Sequence, residues 1–219
     1  MEFKLLLKER KSWEIKTIKQ NLLETIKINN KQIENIKYHN KRFNLSKKEL
    51  FGCDKIIDLS NYIKPPDKKL YRCRVLYNCD ILKIEYIPYI VKVQKKFIII
   101  NSDIEYRYKY ENRDNLNTFR KDNANYDDVI ISKDNLLTDT TIANIALFDG
   151  KSWITPKKPL LYGTMREKLL KSNFLIAKDI KIDDIENFYG FALMNAMIGF
   201  QIIDKVKIRI DDAKRDISL

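Results

Sequence analysis

Asp139 to Arg166, DTTIANIALFDGKSWITPKKPLLYGTMR, is the stretch that most restricts how this chain can fold. Thr141 to Phe148 is a short apolar run with β-branched residues, Asp149-Gly150 is a tight-hairpin pair, and Ser152 to Thr155 returns as a second strand that Pro156 stops. Pro159 to Thr164 then lead into Met165, Arg166, Glu167, Leu169 and Leu170, whose spacing is helical and whose entrance holds a lone glycine, Gly163. Glycine at a helix entrance lets an anion approach free N–H groups. The stretch therefore predicts strand, turn, strand and a helix with an anion-binding end.

The remaining elements can be placed around it. Leu22 to Ile28 alternates apolar and polar residues as a half-buried strand does, Asn29-Asn30 turns it, and Gln32 to Ile36 returns. Tyr38 to Leu50 has helical spacing, with Ser46 and Glu49 spaced as a capping box for a further short helix. Pro65-Pro66 breaks the chain. Leu70 to Tyr77 and Ile81 to Ile90 read as strands around an Asn78-Cys79-Asp80 turn, and Lys96 to Asn101 as another. Ile104 to Asp122 is rich in basic residues and tyrosine, with a helix expected from Asn115. Ile180 to Asn187 reads as a helix approach, Phe188 to Gly199 as an apolar piece, and Phe200 to Ile210 as a final strand pair.

Composition narrows the function classes. With 44% hydrophobic residues, 33% charged residues and only five Gly and five Pro, the chain is a folded protein without long linkers. The net charge of +12 raises nucleic acid as a partner, but the lysines are scattered and form no block of five or more like charges, so that partner is not expected. Cys53, Cys73 and Cys79 show neither CxxC spacing nor a nearby histidine, which predicts reduced thiols with no zinc site and no disulfide framework. MEFKLLLKERKSWEIK, at the N-terminus, has an apolar run of only three leucines, and nothing approaches the ~20 apolar residues of a membrane helix. A cytoplasmic protein with no membrane partner is expected. Residues 1–20 form a basic extension to which no function is assigned.

In order along the chain stand Lys109-x-x-Asn112-Arg113, Asp139, Ala143-Asn144, Ile154-Thr155-Pro156, Gly163-x-Met165-Arg166 and Met194-Asn195-Ala196-Met197. Together they resemble the class IV, fold-type IV pyridoxal-phosphate enzymes, and most closely the aminodeoxychorismate lyases, including the lyase half of fused p-aminobenzoate synthases. The resemblance runs over roughly residues 21–203. It implies an α+β, D-amino-acid-aminotransferase-like fold of two domains, 21–103 and 104–219, with pyridoxal phosphate in the cleft between them. A homodimer with a small anionic substrate is implied as well. The family's Schiff-base lysine falls on Lys109, thirty positions before Asp139, the acid that receives the pyridine N–H. That acid is normally glutamate, so the shorter aspartate needs a shifted strand or a water. The phosphate cradle falls on Gly163, Thr164 and Met165, with a second contact from the Asn195-Ala196 turn, and Arg42 of His39-x-x-Arg42 reaches the phosphate. A GDG-type segment before the first strand is missing, and there the fused lyase domains are the better match.

The chemistry is consistent with this assignment. A lysine becomes a Schiff-base nucleophile when burial and neighbouring cations depress its pKa, and Arg107 and Arg113 flank Lys109 in sequence. A carboxylate opposite the ring nitrogen keeps it protonated, which makes the ring an electron sink. Arg72 and Arg74 alternate on one strand face, where they meet either substrate carboxylates or surface acids. Thr25 and Tyr108 are further substrate-side candidates, and the single histidine, His39, reads as a packing residue. A lyase acting on 4-amino-4-deoxychorismate, in folate biosynthesis, is expected. The alternatives are a branched-chain or D-amino-acid aminotransferase and a non-catalytic basic binding module.

Overall fold

A computed structural model of the chain describes residues 20–210 and 215–219, so the expectation for residues 1–20 lies almost wholly outside them. A small sheet is built from β1 (Leu22–Asn29), β2 (Gln32–Ile33), β3 (Tyr71–Tyr77) and β4 (Ile81–Pro88), in the order β2-β1-β3-β4 and antiparallel throughout. The β1–β2 turn centres on Asn30 and Lys31, both at positive φ (49° and 65°), one residue later than expected. Two consecutive residues in that region give the twist a two-residue hairpin needs.

β2 is short because α1 (Ile36–Phe51) begins almost at once. Its sixteen residues form one helix, not a helix followed by a second one capped at Ser46. Ser46 is buried, and nothing before Gly52 breaks the helix; Gly52 (φ 70°) ends it by donating its N–H to Lys48 O at 3.0 Å. Phe43 of α1 packs on Tyr77 with ring centroids 4.2 Å apart, in a core with Leu22, Ile26, Ile28, Cys73 and Val75. The opposite face of the small sheet, carrying Leu23, Thr25, Arg72 and Arg74, is left for the cleft.

Cys53 and Cys79 form a disulfide with Cα atoms 5.5 Å apart, correcting the expectation of three reduced thiols. Their separation of 26 residues conceals the contact. It arises because the C-terminal part of α1 lies against the β3–β4 turn, where Lys47 Nζ donates to Cys79 O at 3.3 Å. Cys73 is a free, buried thiol, and burial pushes its pKa up to about 12.

Among the described residues the larger sheet has ten strands. β5 (Lys96–Asn101), which the division at residue 103 groups with the first half, runs parallel to β6 (Asp128–Lys133). Its KFIIIN sequence suits a strand covered on both faces. α2 (Asp114–Asp122) leads into β6, which pairs with β7 (Leu136–Thr140). β8 (Asn144–Phe148) follows and pairs with β7, with β9 (Trp153–Pro156) and with β11 (Gly190–Asn195). The strand expected from Thr141 starts at Asn144 because Thr140 closes a tight turn, its N–H donating to Ala143 O at 2.8 Å and its hydroxyl accepting from Ala143 N–H at 3.0 Å.

α3 (Thr164–Lys171) and β10 (Leu175–Lys178) complete the predicted strand-turn-strand-helix stretch and its return. β12 (Gly199–Ile203) pairs with β11, whereas β13 (Lys207–Ile210) pairs with β5 and β14 (Arg215–Ser218). The expected final strand pair is therefore two strands in different neighbourhoods. Phe97, Ile130, Ile145, Leu147, Phe191 and Ile208 are central to the core of this half.

Candidate functional site

A cleft of about 380 Å³ is lined from both sheets. Lys109 enters it from the segment before α2, which is fastened along β1: Leu23 N–H donates to Lys109 O at 2.8 Å and Glu111 N–H to Asn21 O at 2.9 Å. Tyr110 N–H also donates to Tyr108 O at 2.9 Å, making a three-residue turn with Lys109 at its centre. Burial, then Arg42 and Arg113, pushes the Lys109 amine down to about 7, with Glu24 opposing. Arg107 has no part in this. Its largely exposed side chain pairs with Glu49 at 3.4 Å, and Arg42 takes the place expected for it. Tyr108 also turns away, donating its hydroxyl to Glu49 Oε2 at 2.8 Å, so it is not a lining residue.

Asp139 is held on three sides. It is the cross-strand partner of Asn144, whose Nδ2 donates to Asp139 Oδ1 at 2.7 Å and to Leu161 O at 2.8 Å, while Leu161 N–H donates to Asp139 Oδ2 at 2.9 Å. Burial pushes the Asp139 carboxyl up to about 7, partly offset by Leu161 N–H, Asn144 and the Arg166 charge. Each carboxylate oxygen retains a lone pair for a donor in the cleft.

Gly163 precedes α3, and the reason for a glycine there differs from the expected one. A Cβ at this position would lie 1.9 Å from Asn144 Oδ1, so the missing side chain makes room for the amide that holds Asp139. Thr164, the first residue of α3, lines the cleft; the first N–H groups of a helix have no intrahelical acceptor. Met165 does not line the cleft: its side chain packs with Ala146, Leu175 and Met194, which leaves only its backbone N–H for the role expected of it. Ala196 and Asn195 line the cleft, but the Asn195 side chain is used in its own turn, accepting from Met197 N–H at 2.8 Å and Ile198 N–H at 3.0 Å.

Arg42 reaches the cleft from α1 while forked on Glu24, with Nε to Oε1 at 2.7 Å and NH2 to Oε2 at 2.6 Å. Burial alone would raise the Glu24 carboxyl, but Arg42 and His39 hold it down at about 2. His39 Nδ1 lies 2.6 Å from Glu24 Oε2, and Thr164 Oγ1 lies 3.4 Å from His39 Nε2. Thr25 and Arg74 are direct cross-strand partners, and both line the cleft with Arg72, as the alternation predicts. Arg74 is paired with Glu85 at 2.8 Å, whereas Arg72 Nε is buried without a partner. Arg113 donates to Thr141 O and also leaves its Nε unpaired.

The sequence places Asn144 among the ordered motifs but gives it no role, although its position five residues after Asp139 is the spacing of a closed hairpin. Sequence reasoning missed Glu24, which reads in sequence as an ordinary polar position of an alternating strand. Among the described residues, no cluster of His, Cys, Asp and Glu suits a metal ion, and no helix is long and apolar enough to cross a membrane.

The sequence profile of the amino-transferase class IV family matches residues 104–206. An uncharacterised protein of Haemophilus influenzae is 38% identical over 184 residues, or 81% of this chain and 98% of that protein. The crystal structure of a candidate 4-amino-4-deoxychorismate lyase from Haemophilus somnus is 34% identical, with a TM-score of 0.76 over 82% of this chain and 97% of that one. A hypothetical aminotransferase from Mycobacterium tuberculosis, solved with PLP bound, shares the fold at 13% identity, with a TM-score of 0.71 over 90% of this chain and 83% of that one.

Proposed function

Because the chain belongs to the class IV aminotransferase family, we propose that it is a pyridoxal-phosphate-dependent lyase converting 4-amino-4-deoxychorismate into p-aminobenzoate and pyruvate. The observation that carries this reading is the placement of Lys109 in one cleft with the clamped Asp139 and the start of α3, where burial, Arg42 and Arg113 push its amine down to about 7. These residues fit the cofactor. Lys109 is its attachment point, Asp139 its ring-nitrogen partner, and Arg42 with the Thr164 and Met165 N–H groups its phosphate site. When bound, pyridoxal phosphate supplies an electron sink for a carbanion.

The chain's own residues supply the rest. An amine with a pKa near 7 is unprotonated in good part at neutral pH, so Lys109 serves first as nucleophile and then as the base that removes the proton from the amino-bearing carbon of the substrate. In the lyase, the bond to the pyruvyl oxygen breaks as the ring becomes aromatic, and the proton held on Lys109 Nζ is available to the departing group. Arg72, with its unpaired Nε, is the cation for a substrate carboxylate. Arg74 is already neutralised by Glu85.

The deciding experiment supplies 4-amino-4-deoxychorismate without any keto-acid acceptor. Equal amounts of p-aminobenzoate and pyruvate are expected. Turnover only with an amino acid and a keto acid together would make the protein an aminotransferase. Borohydride reduction of the loaded protein and peptide mapping should label Lys109, and a label on any other lysine overturns the assignment.

A further inference from the structure

His39 has no exposed surface, and its two ring nitrogens face different partners. Nδ1 lies 2.6 Å from Glu24 Oε2. Glu24 is ionised in its fork with Arg42 and has no proton to give, so Nδ1 carries the hydrogen and donates it. Nε2 faces Thr164 Oγ1 at 3.4 Å. The charged groups that act on the imidazole are Glu24 from β1, Arg42 from its own helix and Lys109 from the segment before α2; its contact from α3 is the neutral Thr164, while Glu167 of that helix is paired with Lys41. Burial, with the Arg42 and Lys109 charges, holds the imidazole below its ordinary pKa against the pull of Glu24. Nε2 is therefore a bare acceptor, and the Thr164 hydroxyl is its donor.

That hydroxyl has one hydrogen and sits on the first residue of α3, beside the free N–H groups. It can donate to Nε2 or to an anion at the helix end, but not to both. A phosphate dianion is an acceptor, so seating it there turns the hydroxyl away from Nε2 and leaves a buried ring nitrogen without a donor. The same dianion adds negative charge where the imidazole had faced cations. Both changes favour a proton on Nε2, whose N–H then donates to Thr164 Oγ1.

We infer that His39 is a positioning residue that takes up a proton when a phosphate group seats at the start of α3, locking the Thr164 hydroxyl toward the phosphate. This rests on the pyridoxal-phosphate reading of the cleft. The coupling involves no residue that reacts, and it makes one imidazole a reporter of occupancy.

His39 is the only histidine in the chain, so ring-nitrogen NMR of protein labelled with ¹⁵N-histidine needs no assignment. At pH 7.5, protein stripped of cofactor should show one protonated and one bare ring nitrogen. Protein loaded with pyridoxal phosphate should show both protonated. Pyridoxal, which lacks the phosphate, should leave Nε2 bare until inorganic phosphate is added. Thr164→Val should weaken proton uptake on loading, since only the phosphate charge then favours it, and Thr164→Ser should restore it, which tests the coupling without removing His39 from the core. A bare Nε2 in the loaded protein, a doubly protonated ring in the stripped protein, or proton uptake unchanged in Thr164→Val overturns the inference. Failure of the cofactor reading looks different: no pyridoxal phosphate absorbance after loading, which overturns both.

Discussion

Gly163→Ala tests whether the glycine at the start of α3 serves the anion site or the acid opposite it. The added Cβ would lie 1.9 Å from Asn144 Oδ1 and 3.1 Å from Asn144 Cγ, so the amide must leave its slot. Leaving it breaks the donation to Asp139 Oδ1 at 2.7 Å and the donation to Leu161 O at 2.8 Å. A hydrogen bond to a charged group contributes about 1.5–3 kcal/mol and one to a carbonyl about 1 kcal/mol. Local overpacking adds about 1 kcal/mol, so Gly163→Ala should destabilise the protein by about 3.5–5 kcal/mol. Asn144→Ala should cost about 2.5–4 kcal/mol through the same two bonds. The double variant should be little worse than Asn144→Ala alone, because the clash partner has gone, giving a coupling of about 3.5–5 kcal/mol. Urea unfolding of cofactor-free protein at pH 8, above the pKa of about 7 for Asp139, gives all four corners of the cycle. If Gly163→Ala costs the same with and without the Asn144 amide, the glycine is needed for some other reason.

Three further outcomes follow from the site. Asp139→Asn should still take up pyridoxal phosphate but lose about 10²-fold or more in turnover, since an amide cannot balance a ring-nitrogen charge; unchanged turnover would assign the role to another acid. Arg72→Ala should raise the KM for the anionic substrate about tenfold or more, and Arg74→Ala much less because Glu85 already neutralises that charge; equal effects would refute the distinction. Lys109 keeps its proton up to 10.5 when unexposed to the fold but only to about 7 within it. Between about pH 7 and 9, below the range in which the raised Cys73 thiol opposes it, the unfolded chain binds more protons at this site, so the stability of cofactor-free protein should rise with pH; Lys109→Met should flatten the rise, and an unaltered slope would rule Lys109 out as its source.

The elements that position the site were legible where local rules act alone. Strand alternation located β1 and β3 and put Arg72 and Arg74 on one face, because a period of two is a backbone property and needs no partner. The Asp149-Gly150 turn was legible too: Gly150 has φ 91°, and Asp149 Oδ1 accepts from Lys151 N–H at 2.9 Å and Ser152 N–H at 2.7 Å. Boundaries failed where a side chain decided them. Thr140 ends β7 by closing a turn on Ala143, which an apolar run from Thr141 conceals, and Ser46 stays within α1 because its face is covered.

The residues proposed to carry the chemistry were more legible than the groups that tune them, for a physical reason. Lys109 and Asp139 belong to spaced motifs, but their environment comes from distant chain segments. His39 joins Glu24 across 15 residues and Thr164 across 125, and Arg42 joins Glu24 across 18. Sequence adjacency pointed instead to Arg107 and Tyr108, and both face Glu49. A pKa is set by what lies within a few ångströms, whichever segment supplies it. Lys109 is fastened to β1, which also carries Glu24, while Arg42 and His39 reach over from α1 and Thr164 from α3. Loosening the packing of α1 should therefore change the charge state of Lys109 without altering any residue near it in sequence.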